Sequence, residues 1–583
     1  MSRLLRRRRA QSVSVAPTVL AGEFQRWDAG TGATLTSLAV PLQQGQLTAA
    51  NIANVSVWSG GSEIAAYVMP TGTYPDGSAR TLFLQTSQTL TNGSPVAGEI
   101  RLTGGFTVSR RTYTDDSATW SNALTTTWRA GGQPAGAFVC TSVAHLCASN
   151  PFGPVVPQSS QPVFTGSVLV DTAFDAGYQS NITDETNGAV TGPAYYERVI
   201  LLYNHYCRTG SVTVLRDCLA HASRVRTVAL EPTTGDGAWQ QPEQSQSPLS
   251  YLWFWLFRRD TKALDSIRLH ASNAGVNVAT WYNTDGNGGR FIARRLGMAT
   301  GALIAGIGAE TDRFGNRFDS YAAAIFPQAL TTGTTSTIKA DNTVQALFWD
   351  ADGVTRLWVH LGYMAAMFCE AWRWYLSALP ASANKTSMTT QLVASIAALE
   401  SLATTNGGGL PVYQYQNVES FFAARTGTVA TTYTSGTSIT LTIPSMANEL
   451  VYAPSAITIG GVIRRVAANV TADGTGTCTV TLTSGFPSGH SAGAAVALAL
   501  QTAPAGGAGD VDLNGFFPHL WAWRATQTAN VNDANRARAL YAPLGGTPRN
   551  GTNGPQFIGS GKLFDESFYR SPLTLAFLQQ SGL

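Results

Sequence analysis

The sequence predicts a multidomain α+β protein, with an N-terminal β-sandwich or barrel region, a large helical domain and a small β module inserted into the helical domain. The chain has 583 residues, whereas a single hydrophobic core stops growing near roughly 250–300 residues. The hydrophobic pattern changes near residue 193 from the period of a strand to that of a helix, and it becomes strand-like again later. We therefore expect five segments, at 1–21, 22–193, 194–425, 426–502 and 503–583.

The composition predicts a neutral, polar surface. Charged residues make up 13% of the chain and apolar residues 44%, and this charged share is about half of the usual one. Such a surface is typical of proteins covered by neighbouring subunits and also of secreted carbohydrate-active proteins, so both classes stay open. No window has the roughly 20 apolar residues that span a bilayer, and we expect no membrane insertion.

Segment 1–21 is a basic arm. Five arginines lie within the first nine residues, and the candidate anchoring residues are Arg6, Arg7, Arg8 and Arg9. A block of like charges forms either a solvated arm or an anchor on an acidic partner or nucleic acid. No apolar segment follows the arginines, so we expect no secretory signal.

Segment 22–193 predicts a β-rich domain, because short alternating runs are separated by Gly, Asn, Pro and Asp. The clearest strand candidates are 55–58, 64–69, 81–85 and 99–102. Between two of them, Tyr74-Pro75-Asp76-Gly77 predicts a hairpin turn. Its proline fixes φ, and its glycine tolerates a positive φ.

Segments 194–425 and 503–583 predict helices, because their apolar residues recur at helical spacing. The predicted helices cover 194–208, 212–228, 248–272, 290–307, 317–328, 355–378, 386–404, 512–527 and 532–541. Between them, segment 426–502 alternates like strands and is rich in Gly, Ser and Thr, which resembles the small sandwich modules of phage tail proteins. We expect this β-sandwich to interrupt the helical domain, with residues 503–509 as the return linker.

The hairpin Tyr74-Pro75-Asp76-Gly77-Ser78-Ala79-Arg80, followed by an aromatic-rich helical domain, resembles the exo-rhamnogalacturonan lyase-like proteins. In that family a similar Pro-Asp-Gly-Ser turn lies in a β domain ahead of an (α/α) toroid. The resemblance implies that the helices of this chain form a toroid-like ring of helical hairpins, with loops at one end forming a cleft. The inserted module and the arginine arm depart from the family pattern.

Catalytic candidates are Glu243, His360 and Tyr363. Glu243 lies in a polar loop before an aromatic helix and is either a carboxylate at the rim of the cleft or a solvated loop acid. His360 and Tyr363 are three residues apart in predicted helix 355–378, with Glu370 further along. One helical face would suit acid–base chemistry, and the alternative is a hydrogen-bonded core histidine.

Aromatic rings stack on sugars, and Trp239, Tyr251 and Trp281 are the candidate glycan-binding residues. No metal site is predicted. Loops 283–288 and 510–515 imitate calcium loops, but their twelfth positions are Arg294 and Trp521 instead of glutamate. The six cysteines lack paired spacing, and the sequence leaves open whether Cys140 and Cys147 form a bridge. No nucleotide-binding motif occurs, so no cofactor is expected.

Together these features predict a structural or host-recognition component of a tailed bacteriophage virion, in the tail or a tail fibre. The arginine arm would attach to other virion proteins, and aromatic side chains would contact a host surface glycan. We expect a homo-oligomer. The alternative function is a polysaccharide-degrading enzyme, a lyase or glycoside hydrolase, that uses the toroid cleft.

Overall fold

The protein is mixed α+β in its computed structural model. The structure describes residues 18–117, 133–164, 171, 174–175, 197–226, 248–272, 288–311, 315, 317–319, 349–350, 358–403, 414–416, 425–451, 455–499, 515–545 and 568–583. The predicted arm and predicted helix 317–328 lie almost wholly outside these residues.

The N-terminal part is an eight-stranded sheet that curls toward a barrel. Its strands are β1 (Val19–Arg26), β2 (Ala33–Pro41), β3 (Ser56–Ser59), β4 (Ser62–Ile64), β5 (Ala66–Pro70), β6 (Thr81–Thr89), β7 (Val96–Arg101) and β8 (Gly136–Cys140). They are ordered β4-β3-β7-β1-β8-β2-β6-β5. Neighbours pair antiparallel except at the single parallel bridge between β2 and β8. The inner face buries Phe24, Leu84, Ile100 and Phe138 in one apolar core.

The predicted hairpin turn is confirmed. Gly77 has a φ of 80°, which a glycine adopts without steric cost, and its N–H donates to the Tyr74 carbonyl at 2.9 Å. The Asp76 carboxylate accepts from the backbone N–H of Ser78 at 3.0 Å. An isolated bridge between Thr73 and Ala79 completes the turn.

Helices follow the sheet. They are α1 (Val143–Ala148), α2 (Arg198–Thr209), α3 (Val212–Val225), α4 (Pro248–Arg258), α5 (Thr261–Ser272), α6 (Gly288–Ile304), α7 (Gly362–Ala378), α8 (Ala383–Ala403), α9 (Pro518–Thr528), α10 (Val531–Tyr541) and α11 (Ser571–Ser581). Helices adjacent in sequence pack together, as α2 does on α3 and α7 on α8.

Two predicted helices were wrong in extent. Predicted helix 248–272 is two helices, because Arg259 adopts a left-handed φ of 54° and ends α4. Predicted helix 355–378 begins only at Gly362, because residues 358–361 form strand β10 (Trp358–Leu361). This strand pairs with β9 (Trp349–Asp350) and β11 (Gln414–Gln416), and backbone pairing with distant residues overrides the local helical pattern.

The helices pack on the outer face of the eight-stranded sheet. Phe83, whose neighbours Leu82 and Leu84 point inward, enters the same core as α1 to α6. Residues before the hairpin turn also bond to the helices: Thr71 Oγ1 donates to the Leu256 carbonyl at 2.6 Å, and the Thr73 N–H donates to the Ile304 carbonyl at 2.8 Å. The strand-to-helix junction is therefore tied by hydrogen bonds as well as by apolar contact.

A second sheet lies between α8 and α9 in the sequence. It is built from β12 (Arg425–Val429), β13 (Ser438–Thr442), β14 (Leu450–Val451), β15 (Ala456–Ile459), β16 (Val462–Arg465), β17 (Val470–Thr471), β18 (Thr477–Thr481) and β19 (Ala495–Ala499). Six of these strands form one sheet, ordered β16-β15-β19-β12-β13-β18, and β14 pairs with β17. They enclose an apolar core of their own, which includes Ile439, Ile457, Val480 and Leu498.

Candidate functional site

A pocket of about 620 Å³ lies between the two apolar cores of the helical part. Its polar lining residues define what we call the arginine pocket: Glu197, Arg294, Glu370, Arg373, Tyr569 and Arg570. The apolar part of the pocket wall is formed by Phe152, Leu249, Met367 and Trp374.

Glu370, on α7, is the centre of a buried hydrogen-bond network. Its Oε1 accepts from the Tyr569 hydroxyl at 2.5 Å, and its Oε2 accepts from Arg570 Nε at 2.7 Å. Arg570 also lies over the rings of Phe516 and Tyr569, with its guanidinium carbon 4.4 and 4.5 Å from the two ring centroids. Glu370 therefore connects α7 to the residues just before α11.

Arg373 is one turn further along α7 and contributes a second guanidinium to the pocket. Its side chain is buried, and its guanidinium carbon lies 5.2 Å from the centroid of the Phe577 ring, yet its Nε has no hydrogen-bond partner among the residues that the structure describes. Burial lowers the pKa of Arg373, and the charges of Glu370 and Tyr569 oppose that effect. A buried guanidinium without an acceptor is costly, and an anion that entered the pocket would supply one.

Three helix N-termini converge on the same pocket. Glu197 precedes α2, Pro248 and Leu249 begin α4, and Arg570 precedes α11. The N-terminal end of a helix carries partial positive charge and attracts anions. The arginine pocket thus combines three arginine side chains with three positively polarised backbone ends.

Glu197 partly compensates this charge. Its Oε1 accepts from the Leu249 N–H at 2.9 Å, and its Oε2 bonds with Ser250 Oγ at 2.7 Å, so that it caps α4 from the end of α2. Burial raises the pKa of Glu197 to about 8, although these two hydrogen bonds act to lower the pKa. At neutral pH Glu197 is therefore mainly a neutral acid, and it cancels little of the charge of the neighbouring arginines.

His519, on α9, lies against this network. Its Nε2 is 4.0 Å from Glu370 Oε1, and the side chain is fully buried. Burial, together with the neighbouring cations Arg373 and Arg570, lowers its pKa well below the usual range. The ring is therefore neutral, and the cations of the pocket are arginines alone.

The arrangement can do two things chemically. Arginine side chains bind oxyanions, and Arg294, Arg373 and Arg570 line this pocket beside Glu370, which is ion-paired with Arg570. Glu197, whose pKa is raised by burial, and the ion-paired Glu370 also line the same space, and a pair of carboxyl groups in different environments is the usual equipment for general acid–base catalysis.

Most residues predicted as functional lie outside the described part of the chain. These are Glu243, Trp239, Trp281, Arg6, Arg7, Arg8 and Arg9. Tyr251, the third candidate glycan-binding residue, is buried in the core with its ring beside that of His270. His360 and Tyr363 do not share a helix: His360 lies in strand β10, opposite Tyr415, and Tyr363 is in the first turn of α7.

Sequence reasoning named Glu370 but missed the other polar residues of the arginine pocket. Glu370 and Arg373 are i and i+3 within an otherwise apolar, aromatic helix, and this spacing was an available signal, because charges seldom occur at buried helical positions without a partner. Tyr569 and Arg570 gave none, since they are about 200 residues from Glu370 along the chain.

Within the described ranges, no group of three or more His, Cys, Asp or Glu side chains is placed to hold a metal ion. The same ranges contain no helix with the length and hydropathy needed to cross a bilayer. All six cysteines are free and buried, so Cys140 and Cys147 are not bridged. Comparison of the chain with protein-family models, curated proteins and solved structures gives no match.

Proposed function

We propose that this protein is a glycan-contacting component of a virus particle, and that the arginine pocket takes the carboxylate of an acidic sugar. The observation that carries the proposal is Arg373, a buried side chain on the pocket wall whose Nε has no hydrogen-bond partner among the described residues. A sugar carboxylate would satisfy it with a charge-assisted bond. The indole of Trp374 and the ring of Phe152 in the same wall suit the apolar face of a sugar ring.

The test is binding of an oligosaccharide that contains uronate, compared with the same oligosaccharide after its carboxyl groups are reduced to alcohols. We expect the native protein to bind only the acidic form. Replacement Arg373→Gln should weaken binding roughly ten- to hundredfold, because a hydrogen bond to a charged group contributes about 1.5–3 kcal/mol.

The matched control is Arg317→Gln. Arg317 is exposed and pairs with Asp319 away from the arginine pocket, so binding should not change. Equal binding of the acidic and reduced oligosaccharides, or full affinity in Arg373→Gln, would contradict the proposal.

Cleavage of the bound glycan is a second candidate function, favoured by Glu197 and Glu370 on one pocket wall. Glu197, with its pKa raised to about 8, would donate a proton to the glycosidic oxygen as the bond to the sugar carbon breaks. In a hydrolase, water would add to that carbon and give its proton to Glu370. In a lyase, a base would remove the proton next to the carboxylate, and arginine would neutralise the carboxylate.

Incubation with host capsule or lipopolysaccharide separates the two functions. New reducing ends indicate hydrolysis, and unsaturated ends indicate elimination. Glu197→Gln keeps the size of the side chain and its contacts with α4, so it should abolish cleavage while binding remains. Binding without any new ends would favour recognition alone.

We also propose that the helices form a ring of hairpins and that the inserted module is a β-sandwich. Packing of α2 on α3, α4 on α5, α7 on α8 and α9 on α10 supports a toroid-like ring of helical hairpins. The separate core of strands β12 to β19 supports an inserted β-sandwich. Threonine pairs across its surface, such as Thr440 with Thr479 at 2.9 Å, give that module the neutral polar face common in assembled particles.

Placement in a virion tail or tail fibre, as a homo-oligomer attached by the arginine arm, rests on the sequence features and on this module. Gold-labelled antibody against the C-terminal residues should mark purified particles at one location in electron micrographs. Unlabelled particles from a preparation in which the protein is detected only in the supernatant would contradict this placement.

A further inference from the structure

A second pocket, of about 710 Å³, lies where the segment after β7 meets α3, α4 and α5. We call it the junction pocket and define it by Tyr113, Asp116, Arg226, Arg258, Arg259 and Lys262. None of these residues lines the arginine pocket. Its wall is mainly polar, so the space suits a hydrophilic ligand.

Two of its cations are already neutralised. Arg226 Nε is 2.7 Å from Asp260 Oδ2, and Arg258 Nη2 is 3.1 Å from Asp116 Oδ2. All four side chains are largely buried in these pairs. They form a rigid frame that holds the ends of α3 and α4 against the segment after β7.

The other two cations, Arg259 and Lys262, make no ion pair within 4.0 Å among the described residues. The Asp115 carboxylate acts on Arg259 from a distance, but its hydrogen bonds go to Ser117. The pocket wall therefore carries two half-exposed positive charges and one exposed negative charge. Net positive charge in a polar pocket favours an oxyanion.

Arg259 is held in place at a conformational cost. It follows α4 with a φ of 54°, and its N–H donates to the Trp255 carbonyl at 3.0 Å. Glycine usually fills this left-handed position, because a Cβ is sterically unfavourable there. An arginine is thus kept where glycine would be more stable.

The Arg259 guanidinium has a defined orientation. It lies 4.0 Å from the ring centroid of Tyr113 and 5.7 Å from that of Tyr67, and its Nε donates to Met69 Sδ at 3.1 Å. These contacts with Tyr113 and Met69 hold the guanidinium at the pocket wall, where its remaining N–H groups can donate to an oxyanion.

We propose that the junction pocket binds a carboxylate or phosphate group between the Arg259 guanidinium and the Lys262 ammonium group. The two possible sources of this chemistry are an acidic sugar and a free or esterified phosphate. This site is separate from the arginine pocket and does not depend on the function proposed for it.

The experiment is isothermal titration of the full chain with inorganic phosphate and, separately, with glucuronate. It is done in the Arg373→Gln background, so that the arginine pocket contributes little. We expect at least one anion to bind, and Arg259→Asn and Lys262→Gln each to weaken it about tenfold or more. Asparagine tolerates the left-handed backbone, so Arg259→Asn keeps the end of α4.

Ala529→Asn is the matched control, because Ala529 has a similar φ of 52° at the end of α9, away from the junction pocket. It should leave the affinity unchanged. Binding of phosphate alone assigns the phosphate source, and binding of glucuronate alone assigns the sugar. No binding of either anion, or binding that both variants leave intact, would overturn the assignment.

Discussion

Glu197 illustrates at the residue scale how burial sets the state of one carboxyl group. It joins the start of α2 to the first turn of α4 through Leu249 and Ser250. Because burial raises its pKa to about 8 from an ordinary 4.5, folding takes up a proton between these two pH values. The contribution of Glu197 to stability is thus fully present below pH 4.5 and is lost as the pH rises to about 8.

Replacement Glu197→Gln should remove this pH dependence. Glutamine resembles the protonated carboxyl in size, so the variant and the native protein should have similar free energies of unfolding near pH 4.5. Between pH 4.5 and 8 the variant should gain relative to the native protein, by roughly 1.4 kcal/mol per pH unit. Urea unfolding at a series of pH values measures the difference.

Glu63 provides a control of opposite sign. It lies at the surface, and hydrogen bonds from Thr107 lower its pKa, so its contribution is present at neutral pH and is lost on acidification. Glu63→Gln should therefore show no gain at alkaline pH. An advantage of Glu197→Gln that failed to grow with pH would show that Glu197 is not held as a neutral acid.

At the element scale, the hairpin between β5 and β6 is the connection from the sheet to the helices. Arg80 donates from Nε to the Thr73 carbonyl at 2.8 Å and from Nη1 to the Pro151 carbonyl at 3.2 Å. Its guanidinium carbon lies 4.4 Å from the centroid of the Tyr74 ring. The motif that carried the family resemblance thus has a structural role here.

Gly72 should be intolerant of any side chain. A Cβ there would lie 2.5 Å from Leu256 Cδ2 and 3.0 Å from the Ile304 carbonyl. Gly72→Ala therefore has to displace the buried Leu256 side chain and crowds the Ile304 carbonyl, and we expect a loss of about 1–3 kcal/mol in the free energy of unfolding. Thermal and urea unfolding measure it.

Gly77→Ala is the comparison within the same hairpin. Its Cβ would meet nothing within 4 Å, but the φ of 80° is unfavourable for alanine, so the cost is conformational only, about 1 kcal/mol. Gly72→Ala should be the more harmful change. Equal stabilities of Gly72→Ala and the native protein would mean that the hairpin does not dock closely on the helices.

At the scale of the whole molecule, the inserted module has its own core and closely spaced ends. Arg425, at the start of β12, pairs with Leu498, next to the end of β19. Because the chain enters and leaves the module on neighbouring strands, removal of the module leaves a gap that a short linker can close. The helices before and after it also contact each other directly, α8 with α9.

Replacement of residues 425–499 by a short glycine-serine linker should therefore leave the rest of the protein folded. We expect binding of the acidic oligosaccharide to persist, because no residue of the arginine pocket lies in the module. Circular dichroism and the glycan titration check this outcome. An insoluble or unfolded product, with the isolated module also unfolded, would indicate one shared cooperative unit.

Local patterns were sufficient for much of the secondary structure. Alternation predicted strands within β3, β5, β6 and β7, since neighbouring side chains of a strand point to opposite faces. Helical spacing predicted α2, α3, α8 and α10 to within a few residues, and the Pro75–Gly77 turn followed from backbone preferences alone. The N-terminal sheet ends at Cys140 and α1 begins at Val143, so the first helix lies well before the change predicted near residue 193.

Tertiary contacts decided the rest. The break at Arg259 carries no glycine or proline, and its strained backbone is stabilised by stacking on Tyr67 and Tyr113 from another part of the chain. His360 joined a strand because distant residues paired with it.

Glu370 and Arg373 lie within an otherwise apolar helix, which indicates that their charges are buried. Only folding placed them beside Tyr569 and Arg570. The physical reason is the distance along the chain over which each kind of interaction acts. Side-chain periodicity and turn preferences act over a few residues, whereas a buried ion network joins residues that become neighbours only once the helices have packed.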